Sequence, residues 1–255
     1  MHWPSPWGGG FPGWHLECSA IIHATLGEPI DIHTGGVDHI GTHHTNEIAQ
    51  TEAAFGKKLA NYWLHNEFVM VDGQKMSKSK GNFVTLSSIN SKGYDPLALR
   101  LLFLQSHYKS QLNFTWESLS AAAENLKVLN SWADLIHQPD TINPLSDPDQ
   151  GSLVGKIKLA LADDLNTARA LAVFNGYISK GGPSSGLLTE LDKIFGFKFA
   201  RRQDITEAQK NILIERQRAR DTKDWQRSDN LRNELAQRGI EINDTDQGQR
   251  WSRLN

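Results

Sequence analysis

The chain has 255 residues, 27 Lys and Arg against 29 Asp and Glu, a formal net charge of −2 and a single cysteine. No stretch approaches the ~20 apolar residues that cross a bilayer, the first twenty residues lack the apolar segment of a secretory leader, and one cysteine cannot staple a secreted fold. A cytoplasmic protein of two or three units, with no membrane partner, is the expectation.

Cut at Asp95 and Phe197, the charge is uneven: 6 basic against 9 acidic residues over 1–95, 8 against 10 over 96–197, and 13 against 10 over 198–255. The basic end suits a nucleic-acid contact or an ordinary solvated helical face. Along the first ninety residues, short apolar runs alternate with glycine-rich turns, as in GEPIDIHTGGVD and NEFVMVDGQKM, the pattern of an α/β unit. Phe68 to Val71 reads as a strand and Asp72-Gly73 as its turn. Just beyond, GQKMSKSKGNFVTL crowds Lys75, Lys78 and Lys80 onto one loop; like charges so close need a polyanion or bulk water.

Helical patterning follows. Asp95-Pro96 serves as cap and first residue of a helix carrying Leu97, Leu101 and Leu104, and Leu119, Ala122, Leu126, Leu129, Ala133 and Ile136 form one stripe for a bundle. QPDTINPLSDPDQ (138–150) reads as a linker. Helices resume at Leu153 to Ala162, Thr167 to Ser179 and Leu187 to Phe195; Asp204 with Glu207 resembles a capping box opening a helix to about Arg220; a last helix runs from Asp224 to Arg238, ended by Gly239. Arg201, Arg202, Arg216, Arg218, Arg220, Arg227 and Arg232 on or beside these last helices are candidates for phosphate contacts. Trp225 and Trp251 are candidates for base stacking or for the core. The expected division is 1–94, 95–200 and 201–255.

Six of the ten histidines lie between His15 and His44, with the cysteine among them. In HHTNE, His43 and Glu47 are four apart, so a helix puts both on one face, and Cys18 can add a thiolate; the same residues also suit ordinary polar and capping roles. In HTGGVD, Gly35 and Gly36 let a ligand approach the backbone and Asp38 can take an ammonium or hydroxyl group. Many plain turns have that composition.

The blocks WHLECSA (14–20), DIHTGGVD (31–38), HHTNEIAQ (43–50), NYWLH (61–65) and KMSKS (75–79), in this order, closely resemble cysteinyl-tRNA synthetases, and the likeness continues through ALADDLNTARAL and ERQRARDTKDWQRSDNLRNEL to DTDQGQRW. The resemblance implies the second half of a class I Rossmann-type catalytic domain, then a helical bundle and a small C-terminal tRNA-binding domain. It implies that cysteine and ATP, with Mg2+, give cysteinyl adenylate, and that the cysteinyl group passes to tRNA(Cys). By the same resemblance Cys18, His43 and Glu47 are three of four ligands of one zinc ion that selects the substrate thiolate, Trp14 lines the cysteine pocket, Asp38 holds the amino acid or adenylate, Lys78 contacts ATP and Lys75 assists.

The family's other signature, a His-Ile-Gly-His block in a first Rossmann half, is expected upstream of all these blocks, together with the second zinc cysteine; His39-Ile40-Gly41 matches part of it by coincidence. A C-terminal portion of the ligase, inactive without that half, is therefore the expectation. The alternatives are a zinc-dependent ligase joining cysteine to an amino-sugar, which is not expected to carry the tRNA-reading tail, and a non-catalytic RNA-binding module.

Overall fold

The structure is a computed structural model and describes residues 2–77, 81–138 and 141–254. Contacts divide the chain into two units, Met1–Phe83 with Tyr108–Phe114 and Val84–His107 with Thr115–Asn255. The first is α/β and the second mainly helical, as the sequence pattern predicts.

The first unit opens with a hairpin of β1 (Trp3–Ser5) and β2 (Gly8–Gly10), then helix α1 (Trp14–Thr25). Strand β3 (Ile30–Gly36) pairs in parallel with β4 (Ala60–Asn66). A parallel pair cannot be joined by a tight turn, and helix α2 (Thr45–Phe55) makes the crossover, ended by Gly56 in the left-handed conformation. Register sets His33 beside Trp63 and Gly35 beside His65, so with the period of two these four share one face. That face meets α2, where His33 bonds Glu47. The predicted hairpin is present as β5 (Val69–Val71) and β6 (Gln74–Lys75), with Met70 opposite Lys75. Its turn residues Asp72 (φ 49°) and Gly73 (φ 71°) both have positive φ, which is what a two-residue turn matched to strand twist requires. Strand β7 (Leu112–Phe114) adds in parallel to β5.

The second unit begins with α3 (Leu86–Ser91), α4 (Pro96–Leu104) and α5 (Trp116–Ala133). Asp95 caps α4 by accepting from the Leu97 amide at 2.8 Å. The predicted stripe is buried at Leu119, Ala122, Leu126, Leu129 and Ala133; Ile136 lies past the helix, in a 3-10 turn. Helices α6 (Asp147–Ala162), α7 (Thr167–Ile178) and α8 (Ser185–Phe195) complete the bundle around Leu153, Ile157, Phe174, Leu191 and Phe195. Helix α6 starts six residues before the expected Leu153, because Ser146 caps the Asp149 amide and Pro148 sits in the first turn. Residues 147–150, expected to be linker, are thus helical.

The chain ends in α9 (Glu207–Asp221), α10 (Trp225–Gln237) and an antiparallel hairpin of β8 (Ile240–Thr245) and β9 (Gly248–Arg253). These enclose a small core of Ile205, Ile212, Leu235, Ile240, Ile242 and Trp251. The box opening α9 is Thr206 with Gln209, each side chain accepting from the other's amide. Asp204 lies outside it and pairs with Lys210 at 2.7 Å, which corrects the Asp204–Glu207 expectation. Gly239, at φ 77°, closes α10 as predicted. Among the described residues no helix is long and apolar enough to cross a membrane.

Candidate functional site

Cys18, His43 and Glu47, expected from two separate stretches, come together. Cys18 lies on α1. His43 lies near the end of the π-helical turn Ile40–His44 that runs into α2, and Glu47 lies in the first turn of α2. The two helices are tied by Ser19 Oγ donating to Gln50 Oε1 at 2.9 Å. A thiol sulfur, an imidazole nitrogen and a carboxylate oxygen from the three all lie within 4.8 Å of one another.

Glu47 is fully buried. Its Oε2 bonds His33 Nε2 at 2.7 Å, whereas Oε1 lies 3.1 Å from His43 Nε2 yet has no hydrogen-bond partner of good geometry. A buried carboxylate oxygen left so is costly. Burial, then the Glu47 carboxylate, holds the Cys18 thiol above its ordinary pKa. A dication would resolve both, since it draws the thiolate and the carboxylate to itself. The mixed sulfur, nitrogen and oxygen donor set suits zinc, so the residues present fit the implied metal.

Around this trio stands a ring of imidazoles. His15 Nδ1 lies 2.8 Å from His43 Nδ1, and Trp14 stacks on His43 with centroids 4.0 Å apart. His44 Nδ1 lies 2.7 Å from His65 Nε2. His33, His44 and Glu47 form a second group of closely set donors. Burial, with His33 next, pushes His44 down to about 4, and burial also lowers His43 and His65. Neutral imidazoles suit this role: one nitrogen is left to accept or ligate while the other is fixed by a neighbour. His15 and His33 are thus partners of the His43 and Glu47 side chains. Sequence spacing missed them because α1 and β3 supply them; the readable signal was the period of two that sets His33 and Gly35 on one strand face.

Gly35 and Gly36 have a use that composition left open. A Cβ on Gly35 would sit 2.5 Å from His44 Cε1 and 2.7 Å from His39 Nδ1, and one on Gly36 would run into the Asp38 carboxylate. The backbone is approached here by the protein's own side chains. Gly35→Ala is expected to cost about 1–3 kcal/mol, the usual penalty of overpacking, read as a lower urea midpoint for the first unit. A midpoint equal to wild type would refute the close approach.

Asp38 lies exposed in the 3-10 turn Val37–His39 after β3, and Trp14 is half exposed. Lys75 ends the β5–β6 hairpin, its Nζ 5.3 Å from the Phe68 ring centroid. Lys78 lies outside the described residues. Asn82 clasps the loop, accepting from the Ser77 amide at 2.8 Å and donating to the Lys75 carbonyl.

In the C-terminal part the arginines depart from expectation. Arg216 is buried and gives both terminal nitrogens to Asp244 at 2.9 Å; Arg220 and Arg232 reach the same carboxylate at 2.9 Å. Arg202 pairs with Asp134 and Arg227 with Glu215. Five of the seven candidates therefore meet carboxylates within the fold. Trp251 is buried and Trp225 is 57% exposed, so only Trp251 belongs to the core.

Comparison with known proteins places the chain in a family. Residues 1–124 match the family model of the class I (C) tRNA synthetase catalytic domain, and residues 202–251 that of the cysteinyl-tRNA ligase anticodon-binding domain. Cysteine–tRNA ligase 1 of Burkholderia lata is 43% identical over 98% of this chain and 53% of its own length. The cysteine–tRNA ligases of Protochlamydia amoebophila and Lactococcus lactis subsp. cremoris are 41% and 40% identical, with 56% and 57% of their lengths covered. The chain thus spans a little over half the length of these curated relatives. Among solved structures, a LeuRS of Agrobacterium radiobacter K84 in a ternary complex with tRNA and LeuAMS superposes with a TM-score of 0.51 at 15% identity, over 78% of this chain and 31% of that one; the likeness is one of fold. The chain belongs to the cysteine–tRNA ligase family of class I tRNA synthetases.

Proposed function

We propose that this chain carries the cysteine-selecting and tRNA-reading parts of a cytoplasmic ligase that activates cysteine with ATP and Mg2+ and transfers it to tRNA(Cys). The observation that carries the reading is the convergence of Cys18, His43 and Glu47 beside Trp14. In it these three side chains hold zinc, with His15 and His33 fixing the orientation of His43 and Glu47. Zinc, when bound, supplies a soft Lewis acid that takes a thiolate in preference to a serine hydroxyl, a distinction that pocket size alone makes poorly. Trp14 walls the pocket, Asp38 takes the substrate ammonium, and Lys78 with Lys75 stabilises charge developing on the triphosphate. Asn82, bonded to the Ser77 amide and the Lys75 carbonyl, acts by positioning Lys75. Functionally, 1–94 is the catalytic part, 95–200 the bundle and 201–255 the tRNA-reading part. The match of 202–251 to an anticodon-binding domain supports tRNA as acceptor over an amino-sugar.

Cobalt substitution tests the reading without requiring turnover. Cobalt(II) should give a thiolate charge-transfer band that Cys18→Ser abolishes and that cysteine, but not serine, intensifies. Equal responses to cysteine and serine, or a band that persists in Cys18→Ser, would overturn it.

A further inference from the structure

Away from that site, the second unit gathers cations around one buried phenol. Tyr177 on α7 is 6% exposed. Its hydroxyl receives Lys156 Nζ of α6 at 3.1 Å and lies 3.0 Å from Ser152 Oγ, one turn earlier on the same helix. Lys180, just past α7, places its Nζ 4.0 Å from the centroid of the same ring.

Three other lysines on this unit's helices lie against carboxylates: Lys127 with Glu124 at 2.9 Å, Lys193 with Glu190 at 2.6 Å and Lys210 with Asp204 at 2.7 Å. Among the described residues Lys156 and Lys180 have no carboxylate within ion-pair distance. The α7 C-terminus offers Lys180 a partial negative charge, but Lys156 lies in the interior of α6 with no such counterweight. Two ammonium groups and two hydroxyls therefore converge from two helices with nothing negative among them. That donor set suits a phosphate, whose oxygens accept charge-assisted bonds from several directions. The local field shows in the phenol itself, held below its ordinary pKa first by the Ser152 hydroxyl and then by Lys156.

We propose that Ser152, Lys156, Tyr177 and Lys180 form a phosphate-binding site whose ligand is a backbone phosphodiester of the bound tRNA. The choice of tRNA as source rests on the function proposed above; the same donors would accept free inorganic phosphate, and the test separates the two.

Affinity for a tRNA(Cys) transcript is measured against NaCl concentration for wild type, Lys156→Gln/Lys180→Gln, Tyr177→Phe and the control Lys193→Gln. In parallel, the 31P line width of inorganic phosphate is followed without tRNA. A backbone contact predicts that the double variant binds roughly tenfold more weakly near physiological salt, with a log–log salt slope shallower by about one or two. Tyr177→Phe should weaken binding a few-fold at unchanged slope, and Lys193→Gln should match wild type. Phosphate broadened by wild type but not by the double variant, at unchanged slope, assigns the site to free phosphate and overturns the tRNA assignment. Unchanged slope together with unbroadened phosphate overturns the site altogether. Failure of wild type to bind the transcript at any salt would sink the tRNA reading, and the phosphate line width alone then decides the site.

Discussion

Asp134→Ala should lower the stability of the helical unit by about 3–5 kcal/mol, the usual result of breaking a buried charge pair from one side. Asp134 is fully buried at the end of α5. Its Oδ1 accepts from Arg202 Nε at 2.7 Å, and its Oδ2 accepts from Arg202 Nη2 and Arg253 Nη1, both at 2.6 Å. Removing the carboxylate leaves two guanidinium groups, both mostly covered, facing each other without a counter-charge. Asp134→Asn keeps an acceptor and should fall between alanine and wild type. Arg169→Ala is the matched control, because its pair with Asp163 is 64% and 66% exposed and such pairs contribute about 0–1 kcal/mol. Urea midpoints read all three; an alanine variant as stable as the Arg169 control would show that the clamp is not a stabilising element.

Asp244→Asn should be the second most damaging change, toward the lower end of the same ~3–5 kcal/mol range because the carboxylate is 28% exposed. It leaves Arg216, only 1% exposed, unbalanced between α9 and the hairpin. Arg216→Met in the same chain should recover part of the loss, since the methionine stem fills the space without a charge. The effect has a pH signature. Hydrogen bonding from Arg216 holds the Asp244 carboxyl below the usual carboxylate range, with Arg220 and Arg232 assisting. A folded pKa depressed below the unfolded value of about 3.9 contributes stability that is complete above that value and is lost as pH falls through the folded one. The gap between wild type and Asp244→Asn should therefore stay constant from neutral pH to about pH 5 and close below about pH 4. A gap that widens on acidification would contradict the assignment.

These ion clusters also show where sequence reasoning ran out. Apolar periodicity is a local property, so the stripe from Leu119 to Ala133 and the Asp95 and Gly239 ends of their helices were legible. Charge is not local. Arg216, Arg220 and Arg232 read as a basic face for RNA, yet Asp244, which they share, belongs to a hairpin whose alternation of Ile240 and Ile242 was too short to notice. The capping box was misplaced for a related reason: Asp204 and Glu207 have the right spacing, but Thr206 and Gln209 have it too, and only backbone geometry decides between them. In the candidate site, Cys18, His43 and Glu47 stood out only through the family resemblance, because the four-residue spacing of His43 and Glu47 by itself suits ordinary polar and capping roles. Their partners His15 and His33 did not, because bringing β3 and α1 to α2 is a tertiary act; the period of two on β3 tells which face His33 shares with Gly35 but not what meets that face.

The Asp134 clamp also sets an order on biosynthesis. Arg202 follows Asp134 by 68 residues and Arg253 by 119, so during translation the carboxylate emerges long before either counter-charge. At ~5–20 residues per second the ribosome needs about 6–24 s to add those 119 residues. Until Arg202 arrives, α5 has every apolar position it needs for packing, yet its end carries a charge whose burial is unfavourable, and until Arg253 arrives that charge is only partly balanced. The nascent bundle can collapse early, but it cannot seal that end until the β9 segment has left the exit tunnel. That end of the bundle therefore closes only after Arg253 of β9 has been made, 119 residues behind the carboxylate it completes.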